Sequence, residues 1–419
     1  MAPTPVNPSR LFLASRIALI VTAMTFALRG NAMAAWGTQF ALTNEQLGVI
    51  SGTAFWGFTL AMLFGGPLCD AIGLGRIMGV AFVGHLAGIV LTMCAWNYMS
   101  LFIGTLIIGI ANGSVEAACN PLIATMYSHD KTTYLNRFHV WFPGGIVVGG
   151  VAGYFADQIG MGWRAEFGLM LIPLVIYGIM FLGQSFPATE RVQSGVSTGG
   201  MFAACFNPIF ILMVICMLMT AATELGTEQW IPTILASAGV SGILVLAWIN
   251  GLMALGRQCA GPFVHKFSPL GMLLGSAVIS GLGLLAISHS HGYALFASAT
   301  VFAMGACFFW PTMLGYVNTR FPSTGAVGLA IMGGAGMLSA GLILPIIGHS
   351  YDRGIAIRVP VGQTIDTLSA APATSPLATL WTDIQAEAGL HTLGHMALFP
   401  AVLTVVFFLL FITSRKRVG

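Results

Sequence analysis

Three carboxylates stand where an apolar chain has least reason to place them. Glu224 and Glu228 lie four residues apart in TAATELGTEQW (220–230), between FILMVICMLM and IPTILA; Glu116 lies in IANGSVEAACNPL. In hydrocarbon each costs roughly 2.5–3.5 kcal/mol. Two carboxylates one helical turn apart also resist ionising together. One of them can therefore hold a proton near neutral pH and release it when its surroundings change. That is proton-coupling chemistry, and Glu116, Glu224 and Glu228 are the candidates for it.

A second set of residues suits a small polar solute. Arg29, in FALRGNA, is a cation able to pair with Glu116 or to hold an anion. The amides of Asn31, Asn112, Asn120 and Gln229 can bond hydroxyl groups. His139, Trp141 and Trp310 offer ring faces to the C–H surface of a sugar. Asn112, Glu116 and Asn120 recur every four residues and so share one helix face. The competing structural readings are an ion pair that locks helices together, a wetted helix end, or tryptophans of an interfacial belt. Trp230 and Trp248 are expected to be such anchors, and His85 to be a packed histidine.

The elements that position these side chains must be membrane helices. Hydrophobic residues make up 57% of the 419 and charged residues 7%, with mean hydropathy +0.88. A soluble chain carries about 25% charged residues, so no water-exposed surface can be built from this composition. The sequence holds twelve apolar segments of spanning length: 11–36, 45–68, 75–94, 99–126, 138–158, 165–185, 204–236, 243–264, 270–289, 293–317, 326–350 and 391–413. The Pro-rich start MAPTPVNPSR leads straight into the first, which reads as a spanning helix and not a removable signal peptide. With both termini cytoplasmic, eleven of the sixteen Lys and Arg fall in inner loops and ends, as orientation by positive charge requires. Loop 353–390 is polar and reads as a partly ordered outer cap. The seven cysteines, none in a CxxC, read as small buried residues.

The chain also repeats itself. Gly66-Pro67 recurs as Gly261-Pro262, and Gly153 with Asp157 recurs as Gly348 with Asp352, each at an offset of 195; Asn120-Pro121 matches Trp310-Pro311 at 190. This predicts an all-α membrane protein of two pseudo-symmetric six-helix bundles, 1–185 and 204–419, joined by the linker 186–203, with a site between them.

At GGPLCDAIGLGRIM (65–78) the chain resembles the loop between the second and third helices of the major facilitator superfamily, G-x-L-x-D-x-x-G-x-[RK]. The resemblance makes Gly66, Asp70, Gly73 and Arg76 a conformational latch, with Arg257 as a contributor from the eighth helix. GWRAEF (162–167) is similar to another recurring element of that superfamily. A narrower similarity, to the fucose–proton symporter branch, rests on the helix-4 glutamate followed by Asn-Pro, on LNRFHVWFPGG, and on the Gly-Arg of the eighth helix. It implies a sugar or polyol carried with protons or sodium. That branch places a carboxylate in the first helix, where this chain has Arg29, so an organic-anion carrier is the alternative and a lipid or drug exporter the third.

Other classes fare worse. No GxxxxGK[ST] or HExxH occurs, and the charge of +3 does not suggest nucleic acid. The expectation is a monomeric secondary transporter of the bacterial inner membrane, working by alternating access. It is not an enzyme and needs no cofactor or metal; its partners are the solute, a proton or sodium ion, and the bilayer.

Overall fold

The computed structural model describes residues 6–129, 131–188, 198–258 and 267–415. Twelve helical spans run through it: α1 Pro8–Phe40, α2 Asn44–Ile72, α3 Leu74–Met93, α4 Tyr98–Met126, α5 Trp141–Gln158, α6 Gly162–Phe181, α7 Pro208–Ser237, α8 Gly242–Gln258, α9 Pro269–Ser288, α10 Ala294–Arg320, α11 Gly325–Ala356 and α12 Pro376–Ser414. Among the described residues eleven are long and apolar enough to cross a membrane; the described part of α8 is 17 residues long. The face on which α1 begins is here termed the near face, and that on which α2 begins the far face.

Local chemistry sets the helix ends. Asn7, Asn207, Ser268 and Ser375 each accept a hydrogen bond from a first-turn backbone N–H, and each is followed by proline at the first helical position, where the missing N–H costs nothing. Thr43 with Gln46, and Asn97 with Ser100, form reciprocal capping boxes at α2 and α4. Gly73 joins α2 to α3 at φ +90°, a backbone state that suits glycine.

Large apolar side chains point outward all round the bundle, among them Phe64, Val83, Ile172, Ile179 and Leu255, each more than three-fifths exposed. A surface of that kind is stable only in lipid. The two sets of six helices meet along three seams: α1 with the far half of α7, α2 with α11, and α5 with α8. Small residues permit the approach. A Cβ at Gly52 of α2 would lie 2.6 Å from the Gly341 carbonyl oxygen of α11, and one at Gly150 of α5 would lie 3.0 Å from Ala247 of α8. The repeat is visible here, since α5 and α11, which carry the Gly153/Asp157 and Gly348/Asp352 pairs, each form a seam with the opposite set.

Loop 353–390 is more ordered than its composition suggests. α11 continues to Ala356, a short helix covers Ile365–Ser369, and α12 begins at Pro376, well before the predicted 391. Residues 189–197 of the linker, and the second-half Gly261-Pro262, lie outside the described residues.

Candidate functional site

Arg29 is 1% exposed in the middle of α1. Its Nε and Nη2 donate to Oε1 of Gln229, on α7 of the opposite bundle, at 3.1 and 2.7 Å. The rings of Phe26 and Phe55 lie 4.8 and 5.4 Å from the guanidinium carbon, within cation–π range. Among the described residues Arg29 forms no ion pair with Asp or Glu. The predicted Arg29–Glu116 pair is thus replaced by a charged group held by a neutral amide. Around it, Thr233 of α7 donates to the Gly30 carbonyl at 3.2 Å, and Gln229 also donates to the Phe26 carbonyl at 3.4 Å. The cation therefore sits at the seam between the bundles.

The helix-7 glutamates turn elsewhere. Residues 222–226 form one π-helical turn, which inserts an extra residue and rotates the remainder of α7. Glu224 Oε1 accepts from Arg257 Nη2 of α8 at 2.9 Å, and Arg257 Nε also donates to the Cys307 carbonyl at 3.0 Å. Glu228 Oε2 accepts from Asn250 Nδ2 at 3.2 Å, while its Oε1 is buried with no hydrogen-bond partner. Two carboxylates thus face one guanidinium inside the second bundle. Both glutamates are expected to line the path; in the structure they bond Arg257 and Asn250 of the second bundle, and Gln229, the next residue round the helix, crosses the seam. Arg257, expected in a latch, is the counter-charge of Glu224.

Glu116 belongs to a third cluster. Its Oε2 accepts from Asn120 Nδ2 at 2.8 Å, His139 Nε2 meets Asn120 Oδ1 at 3.0 Å, and His139 Nδ1 lies 3.9 Å from Glu116 Oε1. His139 is half exposed, so this group is wetted at one end.

Two of the predicted solute-binding amides are otherwise engaged. Asn112 Nδ2 donates to Thr25 Oγ1 at 2.9 Å and its Oδ1 meets His85 Nε2 at 2.8 Å, with the other ring nitrogen 2.9 Å from Tyr177 Oη. All four groups are buried, so this is a packing network joining α1, α3, α4 and α6. Asn31 donates to Asp157 at 3.0 Å and to Glu166 at 3.1 Å. Glu166 belongs to GWRAEF, whose Trp163 and Arg164 both bond Gln39 of α1, at 2.9 and 3.1 Å. That element ties α6 to the first helix. Trp141 is 36% exposed at the start of α5, and Trp310 packs its ring on Gly336 of α11. Trp230, expected at an interface, is fully buried and donates to the Leu344 carbonyl at 3.2 Å, whereas Trp248 is half exposed.

At the α2–α3 turn, where a latch is expected, Gly73 makes the turn and Arg76 donates to the Ile72 carbonyl at 3.4 Å; the packing of Gly66 and the Asp70 side chain lie outside the described residues. Sequence reasoning missed Asn250, and read Asp157, Glu166 and Asp352 only as parts of the repeat and of GWRAEF. Asn250 had a usable signal, standing seven residues before Arg257 on the same face of an apolar helix.

The family model described as Major Facilitator Superfamily matches residues 17–345. The cis,cis-muconate transport protein of Acinetobacter baylyi is 26% identical over 61% of this chain and 66% of that protein. The 3-(3-hydroxy-phenyl)propionate transporter of Escherichia coli is 25% identical over 71% of this chain and 77% of that protein. The facilitated glucose transporter member 10 of Xenopus laevis is 30% identical, over 35% of this chain and 26% of that protein. A bacterial homologue of the human lysosomal transporter Spinster, in an inward-facing and unoccupied conformation, superposes at a TM-score of 0.77, with 15% identity over 96% of both chains. The family match spans most of the sequence and the twelve-helix fold agrees with it: the chain belongs to the major facilitator superfamily, as an integral multi-pass membrane transporter of small solutes and not an enzyme.

Proposed function

We propose that this chain carries an organic carboxylate through the membrane by alternating access, with Arg29 as the group that receives the anion. The observation that carries this reading is the buried Arg29 guanidinium whose side-chain partner is the neutral Gln229 of the opposite bundle. A substrate carboxylate can replace the amide oxygen with a charge-assisted, bidentate pair. Phe26 and Phe55 then offer ring edges and faces to an aromatic or unsaturated acid. The two bacterial relatives, which match over most of their own length, are named for a muconate and a hydroxyphenylpropionate, which fits that chemistry.

Coupling falls to the second bundle. Glu228, with one buried unpartnered oxygen beside the Glu224–Arg257 pair, takes the proton; Glu116 and the half-exposed His139 offer it a route at the first bundle. Sodium at these carboxylates is the alternative ion. The Lys and Arg distribution supports a cytoplasmic near face; the reading takes the membrane as a bacterial inner membrane and residues 1–185 and 204–419 as the moving units of a monomer. A sugar or polyol is the second reading. It is supported by the shorter match to a glucose carrier and by the amide-rich face of α4.

The test is a ligand panel on purified protein, read as thermal stabilisation, with muconate, 3-hydroxyphenylpropionate, benzoate, hexoses and polyols at pH 5.5 and 7.5. A ligand at 100 times its Kd stabilises by about 2.7 kcal/mol. Carboxylate hits that vanish in Arg29→Ala, and that lose their pH dependence in Glu228→Gln, are expected. Stabilisation by hexoses alone, unchanged in Arg29→Ala, would sink the proposal.

A further inference from the structure

The far face is closed by a contact that the anion site does not require. α2 begins there with Asn44 and Glu45, whose backbone N–H groups have no partner within their own helix, as in the first turn of any helix. The side chain of its own cap, Thr43, accepts from the Gln46 N–H, at 3.2 Å. The other two donors are satisfied from the opposite bundle. Asp352, near the far end of α11, accepts the Asn44 N–H on Oδ1 at 3.1 Å and the Glu45 N–H on Oδ2 at 2.9 Å, and its Oδ1 also accepts from Asn44 Nδ2 at 2.9 Å. One turn earlier on α11, His349 Nδ1 lies 2.9 Å from Glu45 Oε2. The Gly348 backbone lies directly against that of Asn44, with no room for a side chain. A carboxylate at a helix N-terminus is held both by the N–H donors and by the helix dipole.

The partner position in the repeat behaves differently. Asp157, at the far end of α5 and offset by 195 from Asp352, stays within its own bundle on Asn31 and near Glu166. Of the two equivalent aspartates, only Asp352 crosses between the bundles.

We propose that Asp352, assisted by His349, is a one-sided latch that holds the far face shut. When the bundles part at that face the Asn44 and Glu45 donors pass to water, and the loss is repaid only by closure at the near face. The conformational equilibrium of the empty carrier is therefore set in part by this contact. This does not rest on the identity of the substrate, so its test needs no ligand.

The experiment is amide hydrogen exchange by mass spectrometry on the full chain in lipid nanodiscs, comparing the unmodified protein with Asp352→Ala, Asp352→Asn and His349→Gln. In Asp352→Ala, exchange is expected to quicken on the order of tenfold at the far ends of α2 and α11. It should slow at the same time at the near ends of α4 and α10. His349→Gln should give smaller changes of the same two signs. Faster exchange confined to the first turn of α2, with near-face peptides unchanged, would show that Asp352 only caps a helix and would overturn the latch. If Asp352→Ala does not yield monodisperse protein, Asp352→Asn, which keeps the size of the side chain but loses its charge and one of its two acceptor oxygens, reads the same opposed changes, and their absence overturns it as well.

Discussion

At the scale of single residues, a polar side chain in this bundle is informative only once its partner is known. Asn112 and Gln229 are both amides in apolar helices, and sequence gives them equal standing. Asn112 spends both ends on Thr25 and His85, while Gln229 spends its oxygen on a cation of the other bundle. Their substitutions should separate accordingly. Interhelical hydrogen bonds in membranes are worth about 0.6 kcal/mol on average and reach about 1.7. Asn112→Ala removes two of them and leaves His85 Nε2 buried without its partner, so unfolding in detergent should become easier by about 1–3 kcal/mol. Ligand affinity, measured by isothermal titration on the protein that still folds, should stay within about threefold. A loss of affinity much larger than that would return Asn112 to the solute path.

At the scale of elements, what could be read from sequence was whatever obeys a period. The apolar runs recur as helices, the Gly153/Asp157 and Gly348/Asp352 pairs of the 195-residue offset lie near matching ends of α5 and α11, and the first six helix positions agree closely. What could not be read was rotation. The π-turn at Ala222–Gly226 turns Glu228 towards Asn250 and Gln229 towards Arg29, and no i, i+4 count on a regular helix anticipates it. The helical 376–395 stretch was hidden for a related reason: its polar composition reads as loop, yet Ser375 and Pro376 start a helix that runs into α12. Glycine is legible as a type but not as a contact. Gly52 and Gly79 look alike in sequence, but a Cβ at Gly52 would meet the Gly341 carbonyl at 2.6 Å, whereas one at Gly79 meets nothing within 4 Å. Gly52→Val should therefore force α2 and α11 apart, at about 1–3 kcal/mol, with faster hydrogen exchange along residues 48–56. Gly79→Val should stay within about 0.5 kcal/mol. Equal behaviour of the two variants would show that the α2–α11 seam is not the tight contact described.

At the scale of the whole molecule, the bundles are tied at the far side by ties of unlike kinds: glycine packing along α2 and α11, the Asp352 cap, and the Arg29–Gln229 bond. On the proposed reading, the last is the tie that an anionic substrate replaces directly, and Gln229 acts as an internal competitor, holding the guanidinium while the site is empty and giving it up when a carboxylate arrives. A ligand shifts a conformational equilibrium only through its differential affinity for the two states, and exchanging a cross-bundle amide for a freely moving carboxylate supplies that difference. Gln229→Ala removes the competitor while leaving Arg29 buried beside Phe26 and Phe55. A hydrogen bond to a charged group is worth about 1.5–3 kcal/mol, so carboxylate affinity should rise roughly tenfold or more by titration. Turnover in proteoliposomes should fall, because the empty carrier no longer closes on its own bond and the bound anion is released more slowly. If affinity instead drops together with transport, Gln229 is itself a ligand of the solute, and the bond to Arg29 prepares the site without competing for it.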